Sequence, residues 1–169
     1  MKKIILVCVL AIVVNACKTK VETTLDPKDY TVTSQEIKDI VTFLASDDLK
    51  GRNTGTEGIG EAANYVESKF KDFGVKPYFD TYRDNFKVGE LDAYNVVGYL
   101  EGNDDTLKNE FIVIGAHYDH LGVKPSIDET TNSNAQSTGE IFNGADDDAS
   151  GVSSIINLAN HFAKQGNNE

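Results

Sequence analysis

Apolar residues at Ile37, Ile40, Val41 and Leu44 recur at the three- and four-residue spacing of a helix with one buried face. Thr33 and Glu36 stand just ahead at the spacing of a capping box, which predicts the helix start. A second helix is predicted by Ile59, Ala62, Ala63, Val66, Phe70 and Phe73, with Gly74 as its stop and Pro77 beyond it. A third is marked by Val152, Ile155, Ile156, Ala159 and Ala163 and is predicted to stop near Gly166. Between the helices, residues 78–88 read as an edge or hairpin strand, and 94–100 (YNVVGYL) and 111–116 (FIVIGA) as strands. FIVIGA is apolar without alternation, the pattern of a strand covered on both faces, so an α/β sheet is predicted. The Gly-rich stretch 46–58 and the polar, aperiodic stretch 122–140 read as a loop and a surface insertion.

The start of the chain follows a different pattern. Lys2 and Lys3 precede eleven apolar residues, Ile4 to Val14, and then Asn15, Ala16 and Cys17. That is the layout of an export signal, and eleven residues are too few to span a bilayer. The Ala-Cys ending resembles the lipobox of bacterial lipoproteins, which implies cleavage before Cys17, a lipid on that residue and an exported protein held at the cell envelope. A simple cleaved signal or a buried anchor helix is the alternative. The expected organisation is a signal over 1–16, a lipidated Cys17 with a polar tether over 17–32, and a folded domain over 33–169. Cys8 would leave with the signal, so no thiol would remain for a disulfide or a Cys-ligated metal.

Composition narrows the partners. With 169 residues, 40% hydrophobic and 25% charged, the chain is long enough for one domain with a core. Its net charge of −11 makes nucleic acid an unfavourable partner. The seven Tyr and eight Phe are spread along the chain, as core and strand residues are, without forming a stacking platform for bases.

Two segments carry chemistry. The FIVIGA run leads directly into His117, Tyr118, Asp119 and His120, at the carboxyl end of the predicted strand, where open α/β sheets bind ligands. On an extended segment His117 and Asp119 share a side, so Asp119 can accept the second ring N–H of His117 and leave the other nitrogen as a metal ligand. A hydrogen-bonded structural pair is the plainer reading of those two residues alone. His120 would lie close to the site, but parity aims it to the opposite side from His117, as a loop residue or one in the second shell around the metal. The second segment, Asn143-Gly-Ala-Asp146-Asp147-Asp148-Ala-Ser150-Gly151, puts three acids in a turn that opens the third helix. Asp148 as a helix cap accounts for one of them. Adjacent carboxylates repel unless something compensates, and a metal cation is the economical compensation, with a calcium loop as the alternative.

Taken together, G-A-H-Y-D-H-L-G followed by N-G-A-D-D-D-A-S-G resembles the co-catalytic di-zinc exopeptidases that include bacterial leucyl aminopeptidases and glutamate carboxypeptidase. The upstream L-A-S-D-D-L-K-G-R-N-T-G-T-E-G looks like the same family's N-terminal segment, so the resemblance covers about residues 34–165. It implies a three-layer α/β/α domain with a mixed sheet and two zinc ions. It makes His117 a ligand of one zinc, Asp119 its orienting partner and Asp147 the carboxylate bridging both, with Asp148 following, in that family often through a cis peptide bond. The implied reaction is hydrolysis of peptides from one end, most simply the N-terminus, by water activated between metal ions roughly 3.5 to 4 Å apart. By the same mapping the remaining ligands and the Glu general base find no counterpart, so the chain is expected to be a portion truncated after the third helix and inactive alone. Glutaminyl cyclases, which are zinc acyltransferases, and a non-catalytic binding module on the same fold are the alternatives. His161, nine positions after Val152 and so about 180° round the helix, is expected to face solvent. Arg52 and Glu57 are read either as lining a cleft or as a surface ion pair.

Overall fold

A computed structural model describes residues 32–124, 126–127, 134–135 and 139–166. The signal, Cys17 and the tether as far as Thr31 lie outside the described residues, as does much of the polar 122–140 stretch.

The first helix, α1 (Ser34–Leu44), begins with the capping box that the sequence predicts. The Glu36 backbone N–H donates to Thr33 Oγ1 at 3.2 Å, and the Thr33 N–H donates to Glu36 Oε2 at 2.8 Å. A short 3₁₀ turn (Asp47–Arg52) follows, broken by three consecutive left-handed residues, Lys50, Gly51 and Arg52. Two of these carry a Cβ, an uncommon conformation that the packing of Arg52, described below, accounts for. Helix α2 (Glu57–Asp72) ends on Gly74 at φ 76°. Helix α3 (Ser150–Gln165) ends on Gly166 at φ 60°.

The core lies among the three helices. Ile40 and Leu44 of α1, Ala62, Val66 and Phe70 of α2, and Val152 and Ile156 of α3 are buried in one cluster with Leu49, Val75, Tyr82 and Ala149. These are among the residues whose spacing marked the helices, so period and burial largely agree; Ile37, expected on the buried face, is 44% exposed because it sits in the first turn, at the edge of the core. The sheet elements sit to one side. Strands β2 (Arg83–Val88) and β3 (Leu91–Val96) form an antiparallel hairpin. Arg83 ties it to α2, donating to Glu67 Oε1 and to Asn64 Oδ1, each at 2.6 Å, while its guanidinium lies over the Tyr94 ring. Three further two-residue ladders, all antiparallel, pair β1 (Lys76–Pro77) with β4 (Gly98–Tyr99), β5 (Gly122–Val123) with β8 (Ile141–Phe142), and β6 (Ser126–Ile127) with β7 (Asn134–Ala135).

Helices with small antiparallel sheets are compatible with an α/β fold. The expected central strand is not formed. Residues 111–116 have no strand partner among the described residues, and Ile112 and Val113 are 92% and 90% exposed. An unbroken apolar run encodes a demand for burial, but pairing needs neighbours on its edges, and the described strands pair only two by two. Only the ends of the run find apolar company. Phe111 meets the Tyr78 and Tyr99 rings edge-on or tilted, and Ala116 packs on the core. His161 is also placed differently from its expectation: it is half-buried, with its ring edge against Phe162.

Two substitutions test the core with opposite signs. Leu44, fully buried, is expected to lose about 2–5 kcal/mol on Leu44→Ala. Ser153 is equally buried, and its hydroxyl has no hydrogen-bond partner among the described residues, so Ser153→Ala is expected to stabilise by about 1 kcal/mol. Urea unfolding of both variants checks the pair, and equal shifts in one direction would contradict it.

Candidate metal centre

Because 111–116 is not a laddered strand, something else must hold His117 to His120. Four contacts do so. The His120 N–H donates to the Arg52 carbonyl at 3.1 Å, and Arg52 Nε–H donates to the Tyr118 carbonyl at 2.9 Å. The Tyr118 hydroxyl donates to the Tyr94 carbonyl at 2.6 Å, and the His117 N–H reaches Asp148 Oδ2 at 3.3 Å. Burial of the Tyr118 phenol, chiefly, pushes its pKa well above the ordinary tyrosine range.

The second segment is an irregular turn of π-helical spacing (Ala145–Ala149), closed by the Ala149 N–H on the Gly144 carbonyl at 3.2 Å. Gly144 sits at φ 59°, and a Cβ there would lie 2.5 Å from the Asp147 carbonyl oxygen and 2.6 Å from His120 Cγ, so only glycine fits. The Asp147–Asp148 peptide bond is cis. Asp148 is partly buried and turned inward. Its Oδ1 accepts the Gly151 N–H at 3.0 Å, which satisfies a donor in the first turn of α3 as a cap does.

These two segments bring His117 and Asp147 together. His117 Nε2 lies 2.9 Å from Asp147 Oδ1. On the other side of the ring, Nδ1 lies 3.2 Å from the Asp119 carbonyl oxygen and 3.3 Å from Asp119 Oδ1. His120 Nδ1 lies 3.8 Å from Asp147 Oδ2, so Asp147 stands between two imidazoles. His120 thus lies close to the site as expected, but on the Asp147 side and not the side that parity gave it, because the segment has no ladder among the described residues to enforce alternation and the Arg52 carbonyl holds the His120 N–H. Asp146 is exposed, and its carbonyl accepts the Ser150 hydroxyl.

Electrostatics follow from this geometry. An imidazole with acceptors at both nitrogens satisfies them both only when doubly protonated. Burial, the largest single influence on His117, acts downward, but the Asp119 carbonyl and the Asp119, Asp148 and Asp147 carboxylates together outweigh it and raise the pKa. The donor chemistry, imidazole nitrogen with carboxylate oxygen, suits zinc in kind. It falls short in number. Among the described residues, no group of three or more His, Cys, Asp or Glu side chains is placed to hold a metal ion.

Arg52 is the residue that sequence reasoning missed. Read as a surface or cleft residue, it is 1% exposed and donates to four carbonyls, those of Tyr118, Leu44, Asn143 and Gly144. The signal available was its place in Lys50-Gly51-Arg52, a turn-forming run directly after a helix. Glu57 stays exposed. It lines an open cleft of about 500 Å³ with Asp48, Lys50, Glu61 and Gly122, a cleft that none of His117, Asp119, His120 or Asp147 lines.

Against known families, the model of Peptidase family M28 matches residues 95–169, a stretch holding His117, Asp119, His120, Asp147 and Asp148. Over that stretch the chain is similar to a family of peptidases. Comparisons with curated proteins and with solved structures returned no match.

The raised His117 pKa has a definite sign. The folded chain holds the proton more tightly than the unfolded one, so the associated stabilisation is present below the ordinary histidine range and is lost as pH rises through the folded value. In an NMR titration of the metal-free chain, His117 is expected to titrate above about 6.5, and Asp119→Asn to lower it. A value at or below that of a free imidazole would contradict this account.

Proposed function

We propose that this chain carries part of the centre of a zinc-dependent exopeptidase acting on the N-terminus of peptides. The observation that carries the reading is the 2.9 Å approach of His117 Nε2 to Asp147 Oδ1, with Asp119 behind the ring. In this reading His117 and Asp147 would hold zinc, with the Asp147 carboxylate available to a second ion as well. Asp119 keeps the proton on Nδ1 and so leaves Nε2 as the ligand atom. Asp148 fixes the turn by accepting the Gly151 and His117 N–H groups, with His120 standing outside the ligand shell. Zinc, when bound, supplies Lewis-acid polarisation of the peptide carbonyl and an activated water. The proton on His117 Nε2 is what a cation replaces, so uptake releases a proton and weakens as pH falls.

Two donors do not complete a zinc site, so the three-layer domain with two zinc ions belongs, in this proposal, to a larger set of residues than those described here. The proposal extends to the start of the chain. The Lys2-Lys3, apolar and Ala16-Cys17 layout supports export with a lipid on Cys17, placing peptide hydrolysis at the bacterial cell envelope. Among the described residues, no helix is long and apolar enough to cross a membrane.

Calorimetric titration of the 169-residue chain with zinc tests the donor assignment. Uptake is expected to disappear in His117→Ala and Asp147→Ala, and to weaken about 10–100-fold in Asp119→Asn. Uptake that survives both alanine substitutions would remove the site. Zinc-dependent turnover of leucine p-nitroanilide by the same chain is not expected, and its observation would show that two donors suffice. A preference for N-terminal Gln with cyclisation would instead favour the acyltransferase reading.

A further inference from the structure

We propose that Arg52 is the positioning residue of this centre: its guanidinium sets the register of the His117–His120 segment against the Asn143–Asp148 turn, and so brings the His117 ring to Asp147. Arg52 joins three pieces of chain that are remote in sequence. Nε–H holds the Tyr118 carbonyl at 2.9 Å, one residue from His117. Nη1 donates to the Asn143 carbonyl at 2.7 Å and Nη2 to the Gly144 carbonyl at 3.0 Å, at the root of the turn that carries Asp147. Nη1 also donates to the Leu44 carbonyl, one of the last acceptors of α1, which anchors the whole cluster to the helical core. The Arg52 backbone acts in the same place, its carbonyl accepting the His120 N–H. Side chain and main chain thus grip the histidine segment on either side of Asp119.

Only arginine has the shape for this task. Its donors lie in a fixed planar fork, so carbonyls bound to Nε, Nη1 and Nη2 are held in a set mutual arrangement. A lysine ammonium is a point charge with three rotatable donors and cannot fix that arrangement. All four acceptors are peptide carbonyls, with the Asp119 and Asp147 carboxylates acting on the cation from further off. The guanidinium therefore leaves both carboxylates free for His117.

The positioning is a property of the metal-free chain. It depends on the reading of His117 and Asp147 as zinc donors only for what the positioning serves, and the experiment separates the two. In the full chain, Asp147→Asn is expected to shift the His117 ring ¹⁵N resonances. In an Arg52→Lys background that response is expected to be lost, while in Ile156→Val, a core substitution away from the turn, it should persist. Persistence of the full response in Arg52→Lys overturns the proposal, and so does its equal loss in Ile156→Val. If Arg52→Lys does not fold, the unmodified chain decides: the Arg52 Nε–H is expected to exchange with water far more slowly than that of an exposed arginine, and exchange at the exposed rate overturns the proposal. Cobalt(II) binding, followed by its visible absorption, supplies the metal arm, with affinity expected to fall about 10–100-fold in Arg52→Lys. Failure of the unmodified chain to take up cobalt would count against the zinc reading and leave the ¹⁵N result to judge Arg52.

Discussion

A guanidinium removed from water loses a hydration free energy of several kcal/mol, and it stays buried only where fixed acceptors replace the solvent. Around Arg52 those acceptors are the carbonyls of Leu44, Tyr118, Asn143 and Gly144. Each is a peptide group whose position the cation constrains. The loop after α1, the histidine segment and the turn before α3 consequently share one anchor. The left-handed backbone of Lys50, Gly51 and Arg52 is the local cost of turning that side chain inward.

What the anchor organises is an arrangement of charge. Asp119, Asp147 and Asp148 crowd one region, and each has a different compensation. Asp148 is satisfied by backbone N–H groups, Asp119 faces one edge of the His117 ring, and Asp147 faces the other edge with His120 beyond. Repulsion among the carboxylates is relieved by protonating the imidazole, which is the same condition that a divalent cation satisfies more fully. The raised His117 pKa and the proposed affinity of these donors for a cation therefore share one electrostatic cause.

The exposed Ile112 and Val113 place a second constraint on the molecule. Their backbone and side chains seek partners on both edges and both faces, and the described residues offer neither. Neither belongs to the core cluster, most of whose members come from α1, α2 and α3. The histidine segment is held by loop anchors, with no ladder among the described residues.

Local chemistry was legible in the sequence wherever a few neighbouring residues settle the outcome. Thr33 with Glu36 set the start of α1, the spacing from Ile59 to Phe70 set the buried face of α2, and Gly74 and Gly166 set two helix ends, because each depends on backbone geometry within a turn or two. The pairing of His117 with Asp119 is also local, two residues apart on one segment. Tertiary structure alone decided the rest. The parity rule put His120 near the site but aimed it away from Asp147, because alternation requires a ladder, and a ladder requires a partner strand that no local pattern supplies. Arg52 read as a cleft-lining residue or part of a surface ion pair because burial of a charge depends on acceptors up to 92 positions away, brought to it only by the fold. The meeting of His117 with Asp147 is non-local for the same reason: they stand thirty positions apart in the chain, and the contact exists only once the guanidinium has fixed both ends.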